Sequence, residues 1–325
     1  MAGREPVSEE LRVEVPASAA GRKALGLIGD ALPDVATFAL KALFEQSLVE
    51  RDGHPCGPGQ TLQGGEVLSA EWDYLPRIEP RRLKGCEVLW SGAEVLVIDK
   101  PSGVSSDPER ERAEPRLLAA VLHHLRQGDA ELRRPRLVHR LDKPTSGALL
   151  VALSYEAAKE LSRQLAEHEV TKTYLALVHG SPREESGVIE EAIDTSRKRK
   201  VRLDLEGKPA LTRWEVAERF RGYALLRAWP ETGRTHQIRV HLAHIGCPLI
   251  GDALYGSGEP LLLSKLKPGY RAGKRAERPL IERTALHAAA LRFRDPSSGE
   301  EVSVESPVPK DFTVALKQLR KHASS

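Results

Sequence analysis

Leu137-Val138-His139-Arg140-Leu141-Asp142-Lys143-Pro144-Thr145-Ser146-Gly147, followed at once by Ala148-Leu149-Leu150-Val151-Ala152-Leu153, is the stretch on which the reading of this chain turns. The apolar run from Ala148 to Leu153 has the length and composition of a buried strand, and Thr145, Ser146 and Gly147 ahead of it supply turn chemistry. Asp142 is the residue to explain. It follows Arg140 by two positions and directly precedes Lys143, and positive charge on both sides stabilises an anion. An aspartate in a basic loop most often forms a turn or a surface ion pair, so other segments have to decide its role.

Four further segments are patterned. Val95 to Ile98 reads as a strand running into Asp99-Lys100-Pro101-Ser102-Gly103-Val104, a turn. In Thr171-Lys172-Thr173-Tyr174-Leu175-Ala176-Leu177-Val178-His179-Gly180, Tyr174, Ala176 and Val178 alternate with Leu175 and Leu177, the period of a strand. Thr232-Gly233-Arg234-Thr235-His236-Gln237-Ile238-Arg239-Val240-His241-Leu242 continues through Gly251-Asp252 to Tyr255-Gly256. Here Thr235 is placed to cap a helix, Ile238, Leu242 and Ile245 share a face, Gly246 and Pro248 stop it, and Arg239 falls off the apolar stripe. Leu286-His287-Ala288 and Phe293 to Pro296 form the last patterned segment.

In this order the segments resemble the motifs of the RluA-type pseudouridine synthases, enzymes that isomerise uridine to pseudouridine within RNA. The run around Asp142 is similar to the family's HRLDxxTSG motif, Lys172 to Tyr174 to its KxY segment, Lys100 to Gly103 to its KPxG turn, and Thr232 to Gly256 to its third motif. The resemblance spans roughly residues 90 to 312. It implies an α+β catalytic domain with mixed, largely antiparallel sheets and a central cleft. It also implies that Asp142 is catalytic, that Arg239 pairs with it, and that Tyr174 packs on the target uracil. Arg140 is expected to occupy the space left by a flipped base, and His139, Thr145, Arg234, His236 and Gln237 to bind substrate.

The reaction breaks the bond from C1′ to N1 of uracil, turns the base while it stays bound, and joins C1′ to C5. Nothing is added or lost, so the chemistry calls for one carboxylate as nucleophile or base and a dry pocket, with no cofactor and no metal. A glycosidase would need two carboxylates flanking the bond and room for water, whereas Asp142 stands out alone. His236, His241 and His244 do not make a metal site, because His236 and His241 lie about 140° apart on a helix and no cysteine or acid nearby completes a set. Gly256-Ser257-Gly258 lacks the GxSxG spacing of a hydrolase nucleophile, and Gly251, Asp252, Tyr255 and Gly256 are read as shaping a turn beside the cleft.

The formal net charge is only +3, from 49 Lys and Arg against 46 Asp and Glu, but the cations cluster. Arg133, Arg134, Arg136, Arg140 and Lys143 crowd the first motif, Arg197 to Lys200 with Arg202 form a second group, and Lys265, Lys267, Arg271, Lys274, Arg275 and Arg278 a third. Clustered cations on a balanced chain suit a phosphate backbone, so the expected partner is RNA, ribosomal or transfer. No run approaches a membrane span, and Met1 to Glu10 is too charged for a signal peptide. A cytoplasmic monomer without membrane association is expected. Cys56, Cys86 and Cys247 are three and far apart, which yields neither a disulfide framework nor a zinc site.

Ahead of the catalytic domain, taken as 88–325, residues 1–20 read as a flexible leader, 21–75 as a small α/β module and 76–87 as a linker rich in proline and charge. Two short helices, over 24–28 and 35–43, and small hairpins turning at Arg51 to Pro55 and Gly64 to Glu66 resemble an S4-type RNA-binding module. Arg51 to Leu68 is similar to that module's NGxxVxxxxxLxxGDxV pattern, whereas the usual RLDxFL start is Gly21-Arg22-Lys23-Ala24-Leu25-Gly26, a degenerate form. Strands are expected over 94–98, 148–153, 173–178, 212–218 and 223–229, and helices over 116–126 and 155–167. The combination is read as isomerising uridines in structured RNA, with large-subunit ribosomal RNA preferred over tRNA. The alternative is a non-catalytic RNA-binding or ribosome-assembly factor using the same basic cleft.

Overall fold

The computed structural model describes residues 9–106, 116–127, 132–196, 200–271, 273 and 275–324. The chain forms two compact units, one drawn from Met1–Lys84, Ser105–Arg136 and Ala152–Glu156, the other from Gly85–Val104, Leu137–Val151 and Ala157–Ser325.

The first unit contains β1 (Glu9–Glu14), α1 (Ala24–Ala31), α2 (Thr37–Glu45), β2 (Val49–Arg51), β3 (His54–Pro55), β4 (Val67–Trp72) and, from the middle of the chain, α3 (Arg116–Arg126). Its strands make an antiparallel sheet in the order β1-β4-β2-β3. Leu27, Ile28, Leu40 and Leu43 of the two short helices share a core with Val49, Leu68 and Trp72. The two helices and the hairpins follow the sequence expectation, but two boundaries do not. Residues 9–14 are strand rather than leader: Leu11 and Val13 alternate with charged residues, pack on the core, and the strand pairs with β4 from Glu9–Trp72 to Glu14–Val67.

The stretch from 76 is likewise more than a linker. Arg77 bridges to Val35 and pairs with Asp34 at 2.9 Å, while Ile78 is buried with Ala36, Ala119 and Leu122. Helix α3 joins this unit because its apolar face finds Ala36 and Ile78 to bury against. A cut at residue 75 would uncover that face. Arg134 ties the end of the same segment to α1. Its Nη1 donates to the carbonyls of Gly29 (3.2 Å), Leu32 (3.2 Å) and Val35 (2.9 Å), and its Nη2 to the Thr37 hydroxyl (3.0 Å). These include the carbonyls that a helix end leaves unpaired.

The second unit holds β5 (Val88–Ser91), β6 (Val95–Lys100), β7 (Arg136–Leu137, at its entrance), β8 (Ser146–Ala152), α4 (Tyr155–Ala166), β9 (Thr171–His179), β10 (Ser186–Glu190), β11 (Ile193–Asp194), β12 (Arg202–Leu203), β13 (Leu211–Phe220) and β14 (Tyr223–Pro230). Then come α5 (Gln237–His244), α6 (Leu263–Leu266), β15 (Leu286–Arg294), β16 (Glu301–Glu305) and α7 (Lys310–His322). The large sheet runs β10-β13-β14-β9-β15-β8-β6-β5, with β16 beside β15. The pairs β10–β13, β13–β14, β14–β9, β9–β15, β15–β16 and β5–β6 are antiparallel, and β15 runs parallel to β8. Strand β8 is buried at every residue, which explains its continuous apolar run, because an interior strand has no solvent face to require alternation. Helix α7 covers part of the sheet through Phe312, Ala315 and Leu319, packed with Leu177, Phe220 and Ile250. No helix among the described residues is long and apolar enough to cross a membrane.

Gly147 makes the parallel pairing possible. Its φ is +116°, and a Cβ there would meet the Ala288 carbonyl oxygen head-on and lie 2.7 Å from the Ala288 nitrogen. Only glycine tolerates both the dihedral and the approach. Gly147→Ala is expected to destabilise the protein by about 2–4 kcal/mol, read as a lowered midpoint in urea unfolding; a midpoint equal to wild type would contradict this packing.

Candidate active site

The loop carrying Asp142 is built by its neighbours rather than by its own turn alone. The Thr145 N–H donates to the Asp142 carbonyl at 3.0 Å, and the Gly103 N–H donates to the Lys143 carbonyl at 2.8 Å. Lys100, fully buried at the end of β6, donates its Nζ to the carbonyls of Val104 (2.8 Å), Pro101 (3.0 Å) and Lys143 (3.4 Å). The Ser102 hydroxyl and the Arg283 guanidinium both donate to the Pro144 carbonyl, at 2.7 and 3.2 Å, and Arg283 is itself held by Asp311. The Lys-Pro-Ser-Gly turn is therefore a clamp on the aspartate loop, a role that sequence reading alone did not assign.

Arg239 meets the loop from α5. Its Nη1 donates to Asp142 Oδ2 at 3.0 Å, while its Nε and Nη2 donate to Asp252 Oδ2 and Oδ1 at 2.7 and 2.8 Å. Asp252 is wholly buried and Arg239 nearly so, whereas the Asp142 side chain keeps 22% of its exposure. Burial by itself would push the Asp252 carboxyl up, but the guanidinium on both its oxygens outweighs burial and holds it below the ordinary range. Burial likewise works against the charge of Arg239, and the two carboxylates reverse this and raise its pKa. A planar fork spanning two carboxylates is what guanidinium geometry permits and an ammonium does not.

The sequence expectation for this helix needs correction. Thr235 does not cap α5; His236 does, in the left-handed region at φ 55°, with no side-chain capping bond. Gln237 to Leu242 are all buried, so there is no apolar stripe for Arg239 to fall away from. The arginine lies inside because Asp252 lies there too. Asp252 and Tyr255 are the site residues missed as such. The Asp252 Oδ1 also accepts the Leu254 N–H at 3.0 Å, and the signal was an aspartate after Gly251 in a segment read only as a turn.

The other expected residues divide between the site and its scaffold. Tyr174 lies on the buried face of β9, where burial first and then the Asp142 charge raise its hydroxyl pKa. Arg140 is exposed. Thr145 is buried and closes the turn. Gln237 was expected to touch substrate, yet its Oε1 accepts from the Thr232 hydroxyl and the Arg234 N–H, and its Nε2 donates to the Leu211 carbonyl and the Thr212 hydroxyl. His139 accepts the Leu150 N–H on Nε2 at 3.0 Å, and burial, helped by Lys172, drives its pKa to about 3. The polar atoms of both serve the scaffold. Arg234 donates its Nε to the Pro209 carbonyl at 3.0 Å. His236 stays at the site, with Nδ1 2.9 Å from the Tyr255 hydroxyl and Nε2 3.9 Å from Asp142 Oδ1.

The basic clusters are partly neutralised. Arg134 serves backbone carbonyls, Arg136 pairs with Asp30, Arg202 with Asp204 at 2.9 Å, and Lys265 with Glu259. Arg197 to Arg199 and Lys274 lie outside the described residues.

A family profile described as RNA pseudouridylate synthase matches residues 94–244. The ribosomal large subunit pseudouridine synthase D of Xanthomonas campestris pv. campestris is 35% identical over 98% of this chain and 96% of its own length. The protein of the same name from Pasteurella multocida is 34% identical over 95% of each. Among solved structures, human RNA pseudouridylate synthase domain containing 1 is similar with a TM-score of 0.52 and 30% identity, covering 71% of this chain and 86% of that one. Human RNA pseudouridylate synthase domain containing 4 shares the fold with a TM-score of 0.54 at 24% identity, over 72% of this chain and 92% of that one. The chain belongs to the RluA-type family of RNA pseudouridine synthases, enzymes that isomerise uridine in RNA.

The buried pair gives the site a pH signature. A carboxyl whose folded pKa lies below the ordinary aspartate value of 3.8 contributes stability that is present above that value and lost as pH falls through the folded one. Asp252→Asn should cost roughly 3–5 kcal/mol at neutral pH, since Arg239 loses a buried partner. The mutant should also show a shallower loss of stability than wild type below pH 3.8. Denaturant unfolding from acid to neutral pH checks both, and parallel curves for the two proteins would refute the pairing energetics.

Proposed function

We propose that Asp142 is the catalytic carboxylate of this synthase, acting on a uridine flipped out of its RNA. The observation that carries the proposal is the hierarchy of the ion cluster. Asp252 is sealed in, Arg239 is pinned to it bidentately, and Asp142 alone of the two carboxylates keeps an open side. A carboxylate held by a preoriented cation, with a second lone pair free on each oxygen, needs little reorganisation to act as nucleophile or base. During the reaction the C1′–N1 bond breaks and the C1′–C5 bond forms, while the hydrogen on C5 is lost and N1 gains one. Tyr174 offers the uracil a ring to stack on. The exposed Arg140 suits the gap in the RNA stack, because a guanidinium plane can both stack and donate hydrogen bonds.

Large-subunit ribosomal RNA is the proposed substrate. The similarity to proteins named ribosomal large subunit pseudouridine synthase D runs through nearly the whole chain, including the first unit. The S4-like order of two helices and hairpins in that unit supports an accessory role in holding the RNA. Comparing pseudouridine maps of total RNA from cells with and without the gene tests the substrate; lost sites confined to tRNA would overturn it.

Asp142→Asn should lower pseudouridine formation by roughly 10³-fold or more with little change in fold or RNA affinity, since the amide keeps the shape and loses the charge. Arg239→Ala should reduce the saturated single-turnover rate far more than RNA affinity, because its guanidinium is committed to two carboxylates rather than to phosphate. Robust turnover by the Asp142 variant would remove the catalytic assignment. Weakened binding with an unchanged saturated rate would reassign Arg239.

A further inference from the structure

Beside the Arg239 pairing, Asp142 has a second polar neighbour for which ion-pair logic does not account. His236 adopts φ 55° and ψ 19° at the start of α5, a left-handed conformation that costs an imidazole-bearing residue of order 1 kcal/mol and persists where surrounding contacts demand it. The contacts are specific. Its Nδ1 lies 2.9 Å from the Tyr255 hydroxyl, its Nε2 lies 3.9 Å from Asp142 Oδ1, and the two rings meet edge to face at 5.7 Å.

The Tyr255 hydroxyl is placed to select which imidazole nitrogen carries hydrogen. It accepts the Val201 N–H at 3.0 Å, so its single proton is free to be donated, and His236 Nδ1 is the acceptor within reach. A neutral imidazole that accepts at Nδ1 carries its hydrogen on Nε2, the nitrogen that faces Asp142. We infer that His236 is a positioning residue for Asp142, with Tyr255 selecting the tautomer that presents an N–H to the carboxylate oxygen Arg239 does not hold. Arg239 then fixes Oδ2, His236 limits rotation of the carboxylate through Oδ1, and each oxygen keeps a lone pair for chemistry. The 3.9 Å separation is beyond a hydrogen bond, and it closes with a small ring movement when substrate loads, as catalytic contacts commonly tighten.

The same hydroxyl connects the site to a basic segment. Val201 follows Lys200, whose Nζ lies 5.7 Å from the Tyr255 ring centroid, and the Arg239 guanidinium lies 5.3 Å from that centroid. Among the described residues, the charged and titratable groups placed around His236 include Asp142 from the motif loop, Arg239 on its own helix, Tyr255 from the following turn, and Lys200 across the Tyr255 ring.

The inference rests on Asp142 being the catalytic carboxylate, and the test separates the two. Single-turnover rates at saturating enzyme would be measured from pH 5.5 to 8.5 for wild type, Tyr255→Phe, His236→Ala, His236→Asn and Asp142→Asn, alongside RNA affinity and urea unfolding. Tyr255→Phe keeps the ring but frees the tautomer, so its rate should fall several-fold at high pH. The deficit should shrink toward the acid end of the profile, because a protonated imidazole carries hydrogen on both nitrogens. His236→Ala should be slower by roughly tenfold or more at every pH, the worth of a hydrogen bond to a charged group. His236→Asn, which tolerates the left-handed backbone and carries an amide N–H, should retain more activity. A Tyr255→Phe profile parallel to wild type, or full saturated rates in both His236 variants, would overturn the inference even with Asp142→Asn inactive. An active Asp142→Asn would instead bring down the catalytic reading beneath it.

Discussion

Two carboxylates share one guanidinium inside this protein, and much of the second unit is arranged around that fact. Removing an ion from water costs several kcal/mol even after relaxation, and the attraction between buried partners repays it only when every donor and acceptor is matched. Arg239 turns all three of its nitrogens to carboxylates, two to Asp252 and one to Asp142. The consequence is a helix buried over Gln237 to Leu242, an aspartate with no exposed surface, and a turn whose Leu254 and Tyr255 N–H groups also donate to Asp252 Oδ1. The two acids differ in burial, Asp252 being sealed in while Asp142 keeps part of its surface.

A second layer holds the aspartate loop in place, and it is also made of cations. Lys100 and Arg283 spend their donors on backbone carbonyls of the loop and its neighbours, which removes freedom from a segment that would otherwise move as exposed loops do. Gly147 performs the matching task at the other end, letting β15 approach β8 where any side chain would collide. In the first unit Arg134 does for the end of α1 what Lys100 does for the motif loop. Positive charge in this chain therefore has two uses, and counting cations along the sequence mixes them.

The repeating patterns of the chain translated well into elements. The alternation around Tyr174 became β9, the apolar run after Gly147 became β8, and the helix expected over 116–126 is α3. Period and composition report local burial, and these segments are long enough to show it. The pattern was weaker where burial depends on distant partners. Glu9–Glu14 carries too much charge to advertise a strand until β4 lies beside it, and the prolines from 76 onward conceal Ile78 in a core with α3.

The sequence by itself determined the family and with it the reaction class, because motifs in a set order around Asp142 are legible without coordinates. The resemblance also implied that Arg239 pairs with Asp142, and the two side chains do meet at 3.0 Å. Only the tertiary structure decided how they are held. Asp252 enters as the buried counter-charge, Gln237 and His139 turn their polar atoms to the scaffold, and His236 takes a strained backbone that puts its imidazole between Asp142 and Tyr255. The division has a physical cause. Residue type states what chemistry a side chain can perform, whereas its partners are chosen by desolvation and by geometry among segments far apart in the chain, and neither is written in local order.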